Sequence, residues 1–276
     1  MLIFGIILIV IGVICLFMKK SSQSRLMAFN LTKTYTAADL KELFSSVAKE
    51  AGKGNFREMV ELKGTLECAS PLTAELSKEP CVYFKSTVER EVEETYYEQD
   101  AQTKNKVMKT RREMQLISST ERNCDFYIKD ATGKIRVKSD NAEFDLIKSM
   151  EKYEPASAFN YANGNLNWGG FFIPIAENVF NNNYNMQTHK ILGYKMIEYM
   201  FPVNRDTFVI GEASDSSNGE ITVAKPVESK GEFIVSNKSE EQLAADAKQS
   251  AKWLDIASKV CLAIGAVLAL AGLVIK

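Results

Sequence analysis

Two apolar runs bracket the chain, and nothing like them lies between. Leu2 to Met18 is 17 residues without a charge. The second run, 253–275, has an uncharged heart from Val260 to Ile275, preceded by Trp253, Leu254, Ile256 and Ala257. A helix crossing a hydrocarbon core needs ~17–25 apolar residues and satisfies its own backbone hydrogen bonds there. The pattern predicts transmembrane helices over 2–18 and 253–275, with a mixed, polar domain over 19–252 between them. A secretory signal peptide is the alternative for the first run. Such a peptide wants positive charge before its apolar stretch and a small-residue cleavage site after it, whereas here Lys19 and Lys20 follow the run. Gly265, Ala269 and Gly272 give the second span a small-residue face on which the two spans can pack.

The middle region opens with a helical pattern. Thr36 is an N-cap with Asp39 at the third helical position, a capping box. Leu40, Leu43, Phe44 and Val47 then share one face, and Gly52 closes the helix. Strand patterns follow. Arg57 to Cys68 alternates, with a bend expected at Gly64. Pro71 to Pro80 reads as a loop. Cys81–Tyr97 and Val107–Ser118 form two long arms of a hairpin joined through Asp100–Lys106. A second hairpin pairs Asp125–Asp130 with Lys134–Val137 around Gly133, and a third pairs Thr207–Glu212 with Glu220–Ala224. Phe233–Val235 is a last strand. Ser239 and Gln242 then form another capping box, starting a helix that runs into the second span. The fold class is α+β, a β-rich soluble domain inserted between two transmembrane helices.

One stretch departs from this pattern. Phe159 to Asn185 is rich in Asn and carries Tyr161, Trp168, Phe171, Phe172, Phe180 and Tyr184. Asn163-Gly164 and Gly169-Gly170 mark turns, so the segment reads as a long loop or excursion. Two readings stay open for it. The aromatics can rest on a membrane interface or a partner, or pack on one another as a surface insertion.

Charge changes the picture in two ways. With Lys+Arg at 34 and Asp+Glu at 35, the chain has no net field that would draw nucleic acid. Its positive residues are unevenly placed, however. Lys19, Lys20 and Arg25 follow the first span and Lys248, Lys252 and Lys259 surround the start of the second, which puts the middle domain on the cytoplasmic side. In the hairpin, one arm is acidic (Glu89, Glu91, Glu93, Glu94, Glu98) and the other basic (Lys104, Lys106, Lys109, Arg111, Arg112). Facing charges of this kind contribute about 0.2–1 kcal/mol per pair. That favours a ribbon laced by its own partner over a patch for phosphate or anionic lipid.

Candidate chemistry is sparse. Of the five cysteines, Cys15 and Cys261 lie in the spans. Cys68, Cys81 and Cys124 remain, an odd set without framework spacing that fits a reducing compartment. His189, the one histidine, stands in a polar stretch. Cys81, followed by Val82-Tyr83-Phe84, reads as a buried structural thiol rather than a nucleophile. No catalytic site, metal or cofactor is expected.

The blocks Leu62-Lys63-Gly64-Thr65-Leu66, Pro71–Ser77, Pro80–Phe84 and Val88–Glu94 are similar to the GIDE-type domain, also called BAM, for "beside a membrane". So are Phe126–Asp130 with Gly133–Val137, and Val209–Ala213. The resemblance spans roughly residues 35–275. It implies a domain flanked by membrane spans, as in mitochondrial membrane-anchored ubiquitin ligases and their prokaryotic relatives, and a domain facing away from the cytosol, against the charge bias. The ligases carry a RING whose two zinc ions need eight Cys/His ligands. This sequence offers no such set, so ligase activity is not expected with the resemblance. The function expected is a membrane-anchored, non-catalytic interaction or sensing domain. The alternatives are a RING-less member or adaptor of a ubiquitin-ligase-like system, and an unrecognised hydrolase. Pro71, Leu72, Thr73, Leu76, Pro80, Cys81 and Tyr83 are the expected binding residues, with Trp168 and Phe171 as a second patch. Expected partners are the lipid bilayer, a membrane or peripheral protein, and a second copy in a homo-oligomer.

Overall fold

In a computed structural model, the chain is described over residues 2–99, 104–162, 164–175, 189–215, 219–227 and 231–274. Helix α1 (Leu2–Leu31) is followed by β1 (Lys33–Thr34), α2 (Ala37–Ala51) and β2 (Arg57–Glu67). Next come β3 (Leu72–Thr73), β4 (Pro80–Gln99), β5 (Lys106–Asn123), β6 (Phe126–Asp130) and β7 (Gly133–Val137). Then follow β8 (Glu143–Phe144), β9 (Ile147–Pro155), β10 (Asn160–Ala162), β11 (Asn165–Trp168) and β12 (Phe171–Pro174). The last elements are β13 (His189–Pro202), β14 (Asp206–Asp215), β15 (Ile221–Ala224), β16 (Ile234–Ser236) and α3 (Glu240–Val274). The α+β class holds, and two long apolar helices flank the β-rich part.

The chain forms two compact units. The first comprises Met1–Glu67, Tyr127–Asp145 and Arg205–Lys276, the second Cys68–Phe126 and Leu146–Asn204. In the first unit β2 pairs antiparallel with β14 and with β6. β7 neighbours β6, β15 pairs parallel with β7, and β15 also pairs antiparallel with β14, so five strands close on themselves. In chain order the ring runs first, second, third, fifth, fourth, which makes it a five-stranded Greek-key barrel of the OB type. Closure leaves no bare sheet edge around the ring. Gly64 is what lets β2 serve two partners, because a Cβ there would run into the backbone carbonyl of Lys129. Val60, Leu62, Leu66, Ile128, Val137 and Val223 are buried along the ring.

Helix α2 starts as its sequence predicts. The Thr36 hydroxyl accepts from the Asp39 amide at 3.2 Å, and the Asp39 carboxylate accepts from the Thr36 amide at 3.3 Å. The first turn is also tied to the β6–β7 turn, where the Asp130 carboxylate accepts from the Ala37 amide at 2.7 Å and from the Thr132 and Gly133 amides. Burial raises the Asp130 carboxyl, but these hydrogen bonds outweigh it and hold the group below the ordinary aspartate range.

Both apolar helices run well past their apolar cores. No Gly or Pro interrupts 19–31, so α1 continues for 30 residues, and α3 spans 35. Each contains a stretch long and apolar enough to cross a membrane, with mean hydropathy 2.9 in Leu2–Gln23 and 2.0 in Glu241–Gly272. They pack through glycines. A Cβ at Gly5 would stand 2.5 Å from the Ala269 nitrogen, and one at Gly265 would stand 2.9 Å from the Gly5 carbonyl oxygen. Gly272 meets Leu2 in the same way. In a bilayer, where lipid is as apolar as the side chains, such close backbone contact would be the main attraction between them. Lys19 and Asp255 join the two helices at 2.6 Å where the apolar stretch of α1 gives way to polar sequence. At its start α3 obeys the Ser239–Gln242 capping box, with the Gln242 amide donating to the Ser239 hydroxyl. Leu243, Ala244 and Ala247 then cover Phe208, Ile210 and Ile234.

The second unit is a sheet in the order β3-β4-β13-β9, with β5 also on β4, and a three-stranded meander β10-β11-β12. The β4–β5 ribbon is the long hairpin expected from the charges, in register Glu93↔Arg112 and Glu94↔Arg111. Arg111 pairs with Glu94 and Lys109 with Glu98. Residues 100–103 of its connection lie outside the described residues. The excursion is not a loop over its first half. Gly169 and Gly170, with φ of 54° and 89°, make a two-residue hairpin turn that sets Trp168 opposite Phe171. Residues 176–185 of the excursion lie outside the described residues.

Replacing Gly5 with Leu keeps α1 apolar and fills space the neighbouring helix already occupies. Titration of the detergent-solubilised protein with a denaturing detergent should show Gly5→Leu unfolding well before wild type. Ile6→Leu, at a position 51 % exposed to the surroundings of the helix, should match wild type.

Candidate functional site

The 71–84 segment is short and two-stranded. Leu72 lies opposite Cys81 and Thr73 opposite Pro80, and the Ala74 amide donates to the Glu79 carbonyl at 2.9 Å. Lys78 takes the left-handed backbone, φ 62°, that turns the chain back. The expected binding residues divide accordingly. Leu76 and Cys81 are buried, and Leu72 packs on Ala74, Cys81, Phe84 and Met200. Tyr83 is half-buried, and burial together with its hydrogen bond to Glu121 pushes its phenol up. Pro71, Thr73 and Pro80 are exposed. Truncating Leu72 or Tyr83 therefore disturbs packing before it tests binding.

Glu198, on β13, fixes this segment from below and was not legible as a site residue. Its side chain is fully buried. It accepts from the Leu76 amide at 2.6 Å, the Ser77 amide at 3.0 Å, the Ser86 hydroxyl at 2.9 Å and the Ser149 hydroxyl at 2.9 Å. Burial raises the carboxyl, yet the hydrogen bonds from Ser77, Leu76 and Ser86 prevail and hold it below the ordinary glutamate range. Its charge in turn adds to burial in pushing the Cys81 thiol up to about 11, so that thiol stays protonated at neutral pH.

The second patch joins the first. Leu76 shares a core cluster with Phe159, Leu166, Ile173, Tyr194 and Met196, and Trp168 packs against it. Phe159 stacks on Trp168 at 6.1 Å, and Trp168 on Phe171 at 5.4 Å. Lys78, at the tip of the 71–80 segment, stands 4.5 Å from the centre of the Phe171 ring, and Lys152 stands 4.7 Å from that of Trp168. Each cation over a ring contributes about 0.5–1 kcal/mol at exposed sites. Through Leu76 and Lys78 the 71–80 segment is thus tied to the aromatic meander, where Phe172 is 69 % exposed. Phe159, Trp168 and Phe171 pack on one another, while Tyr161 and Phe172 stay exposed.

The remaining reactive groups lie elsewhere in this unit. His189, half-buried on β13, is 3.6 Å from Glu94. Among the described residues, no three His, Cys, Asp or Glu side chains are placed to hold a metal ion.

Glu198→Ala leaves two amides and two hydroxyls without their acceptor, and should destabilise the second unit by about 3 kcal/mol. Because folding lowers the Glu198 pKa, its contribution is present above the unfolded value of ~4.3 and fades as pH falls below it. Urea unfolding followed by Trp168 fluorescence should show this acid-side loss in wild type and a flatter profile in Glu198→Gln.

A family model described as "GIDE: E3 Ubiquitin ligase" matches residues 93–270. No curated protein and no solved structure matches the chain. The family match begins within β4, after the 71–84 segment, and ends inside α3. It covers well over half of the sequence, and the chain therefore belongs to the GIDE family.

Proposed function

We propose that this protein is a membrane-anchored, non-catalytic binding module of the GIDE family, whose second unit presents the Pro71–Pro80 segment and the adjoining aromatic meander to a protein partner. The observation that carries this reading is the way that segment is held. Four donors converge on the buried Glu198 carboxylate, and Lys78 caps Phe171 from the other side. A contact surface ordered before binding loses little conformational freedom when a partner arrives. Around it the groups capable of chemistry are engaged otherwise. Cys81 is held protonated, His189 faces Glu94, and the ribbon carboxylates face Lys and Arg.

The family description favours a second reading, an adaptor in a ubiquitin-ligase-related system, with this surface receiving either a ligase component or its target. In both readings the two apolar helices hold the module at the bilayer as a two-span protein. The Lys and Arg residues flanking the polar sides of both helices support a cytoplasmic position for it.

Crosslinking the full-length protein in native membranes, followed by mass spectrometry, tests the assignment. Thr73→Arg combined with Phe172→Ser changes only exposed side chains. The double variant should retain its unfolding midpoint and lose at least about tenfold of the recovered partner, the effect expected when a contact at the centre of an interface is lost. Undiminished recovery overturns the site. Recovery of self-crosslinks alone would replace the partner with a second copy of this chain.

A further inference from the structure

We infer that Cys68 and Cys124 are a reversible dithiol–disulfide site, oxidised by thiol–disulfide exchange with a low-molecular-weight disulfide of the glutathione class. The two sulfurs are 3.8 Å apart and 56 positions apart in sequence. That is sulfur–sulfur contact, and a modest movement closes it to a bond of about 2.05 Å. Both thiols are free and half-buried, so a small oxidant can reach them.

Backbone pairing places them there. β2 and β6 run antiparallel through Glu67↔Tyr127, and Cys68 continues the first strand while Cys124 and Asp125 precede the second. Cys68 also donates to the Asp125 carbonyl at 3.5 Å, and the Cys124 amide donates to the Val82 carbonyl at 2.9 Å. The framework holding both residues is made of main-chain bonds and does not depend on the thiols.

Cys81 is the competing partner, and it is turned away. It is fully buried, and its thiol points to the Leu72 carbonyl at 3.8 Å. Burial and then the neighbouring Cys68 push the Cys124 thiol up to about 12. Either thiol of the pair can open the exchange, for example Cys68. Its thiol gives a proton to water, and the thiolate attacks one sulfur of the oxidant. The oxidant's S–S bond breaks, one thiolate leaves, and a mixed disulfide forms on Cys68. Cys124 then loses its proton and attacks the Cys68 sulfur, expelling the second thiolate. Each leaving thiolate takes up a proton. The two protein sulfurs are oxidised by one electron each, and the two sulfurs of the oxidant are reduced.

The bond would tie the two stretches by which the chain enters the second unit at Cys68 and leaves it at Phe126. Cys124 lies beside the Leu72 backbone, so the bond would sit at the start of the 71–80 segment. It also converts redox state into a marker of sidedness. A domain facing a reducing compartment keeps the dithiol, and one facing an oxidising compartment carries the bond.

The test uses full-length wild-type protein in detergent, equilibrated with excess oxidised glutathione, quenched by alkylation and digested. A Cys68–Cys124 linked peptide, reversed by dithiothreitol and also formed in Cys81→Ala, is the expected result. Alkylated or glutathione-capped but unlinked Cys68 and Cys124 would overturn the proposal, as would a link from either residue to Cys81. Reading the wild-type chain makes the result independent of whether a Cys68→Ser variant folds. The same peptide, sought in membranes alkylated before solubilisation, reports the state in the cell.

Discussion

A buried carboxylate solvated by four aimed hydrogen-bond donors carries the second unit. Water solvates a charged glutamate well, and a protein interior must match that solvation with dipoles. At Glu198 the match comes from two consecutive amides and two hydroxyls. These donors sit on the turn after β3, on β4 and on β9, and the acceptor sits on β13. The charge holds together stretches that are far apart in sequence. Hydrophobic contact would hold the same strands with less discrimination, because apolar packing tolerates sliding and a set of aimed hydrogen bonds does not. That group fixes the 71–80 segment at its Leu76 and Ser77 amides, and its charge adds to burial in keeping the Cys81 thiol protonated.

Much of the architecture was legible because it rests on local rules. Both helix starts were written in capping boxes, at Thr36–Asp39 and Ser239–Gln242. The β4–β5 ribbon was written in opposing charges, and the membrane-length helices in unbroken apolar runs. The strand β13 shows where that legibility ended. Tyr194, Met196, Glu198 and Met200 alternate inward, a period that marks a strand, but a glutamate in the third place reads as a solvent-facing residue. Only the donors, spread over the chain from residue 76 to 149, show why it is inside. The meander was read only in part. Gly169-Gly170 marks a turn in the sequence and forms one, but the Asn-rich stretches on either side read as irregular chain, although Leu166 and Ile173 are an inward strand pair.

Candidate site residues suffered the same limit. Of the segment 71–84, sequence reasoning selected apolar residues and prolines together, and the structure separates them into supports and surface. Leu72, Leu76 and Cys81 are supports, while Pro71, Thr73 and Pro80 are surface. Lys78 was passed over because a lone lysine in a loop carries no motif. Its place above Phe171 depends on a meander some ninety residues further along the chain. The closeness of Cys68 to Cys124 was hidden similarly, since spacing says nothing about which strand ends meet.

The way the second unit is assembled also sets when it can exist. Its sheet joins β4 to β13 through pairs such as Cys81↔Pro202, so its central seam connects residues about as distant as the unit allows. The β4–β5 ribbon closes locally and early, but long-range pairing of this kind is slow to form. During synthesis, the apolar side of β4 and the donors at Leu76, Ser77 and Ser86 have neither cover nor acceptor until β13 has emerged. Until then the sheet is half made and open to edge-to-edge association. The glutamate near the end of β13 is the last of its set in chain order, so the unit is complete only when that strand is present.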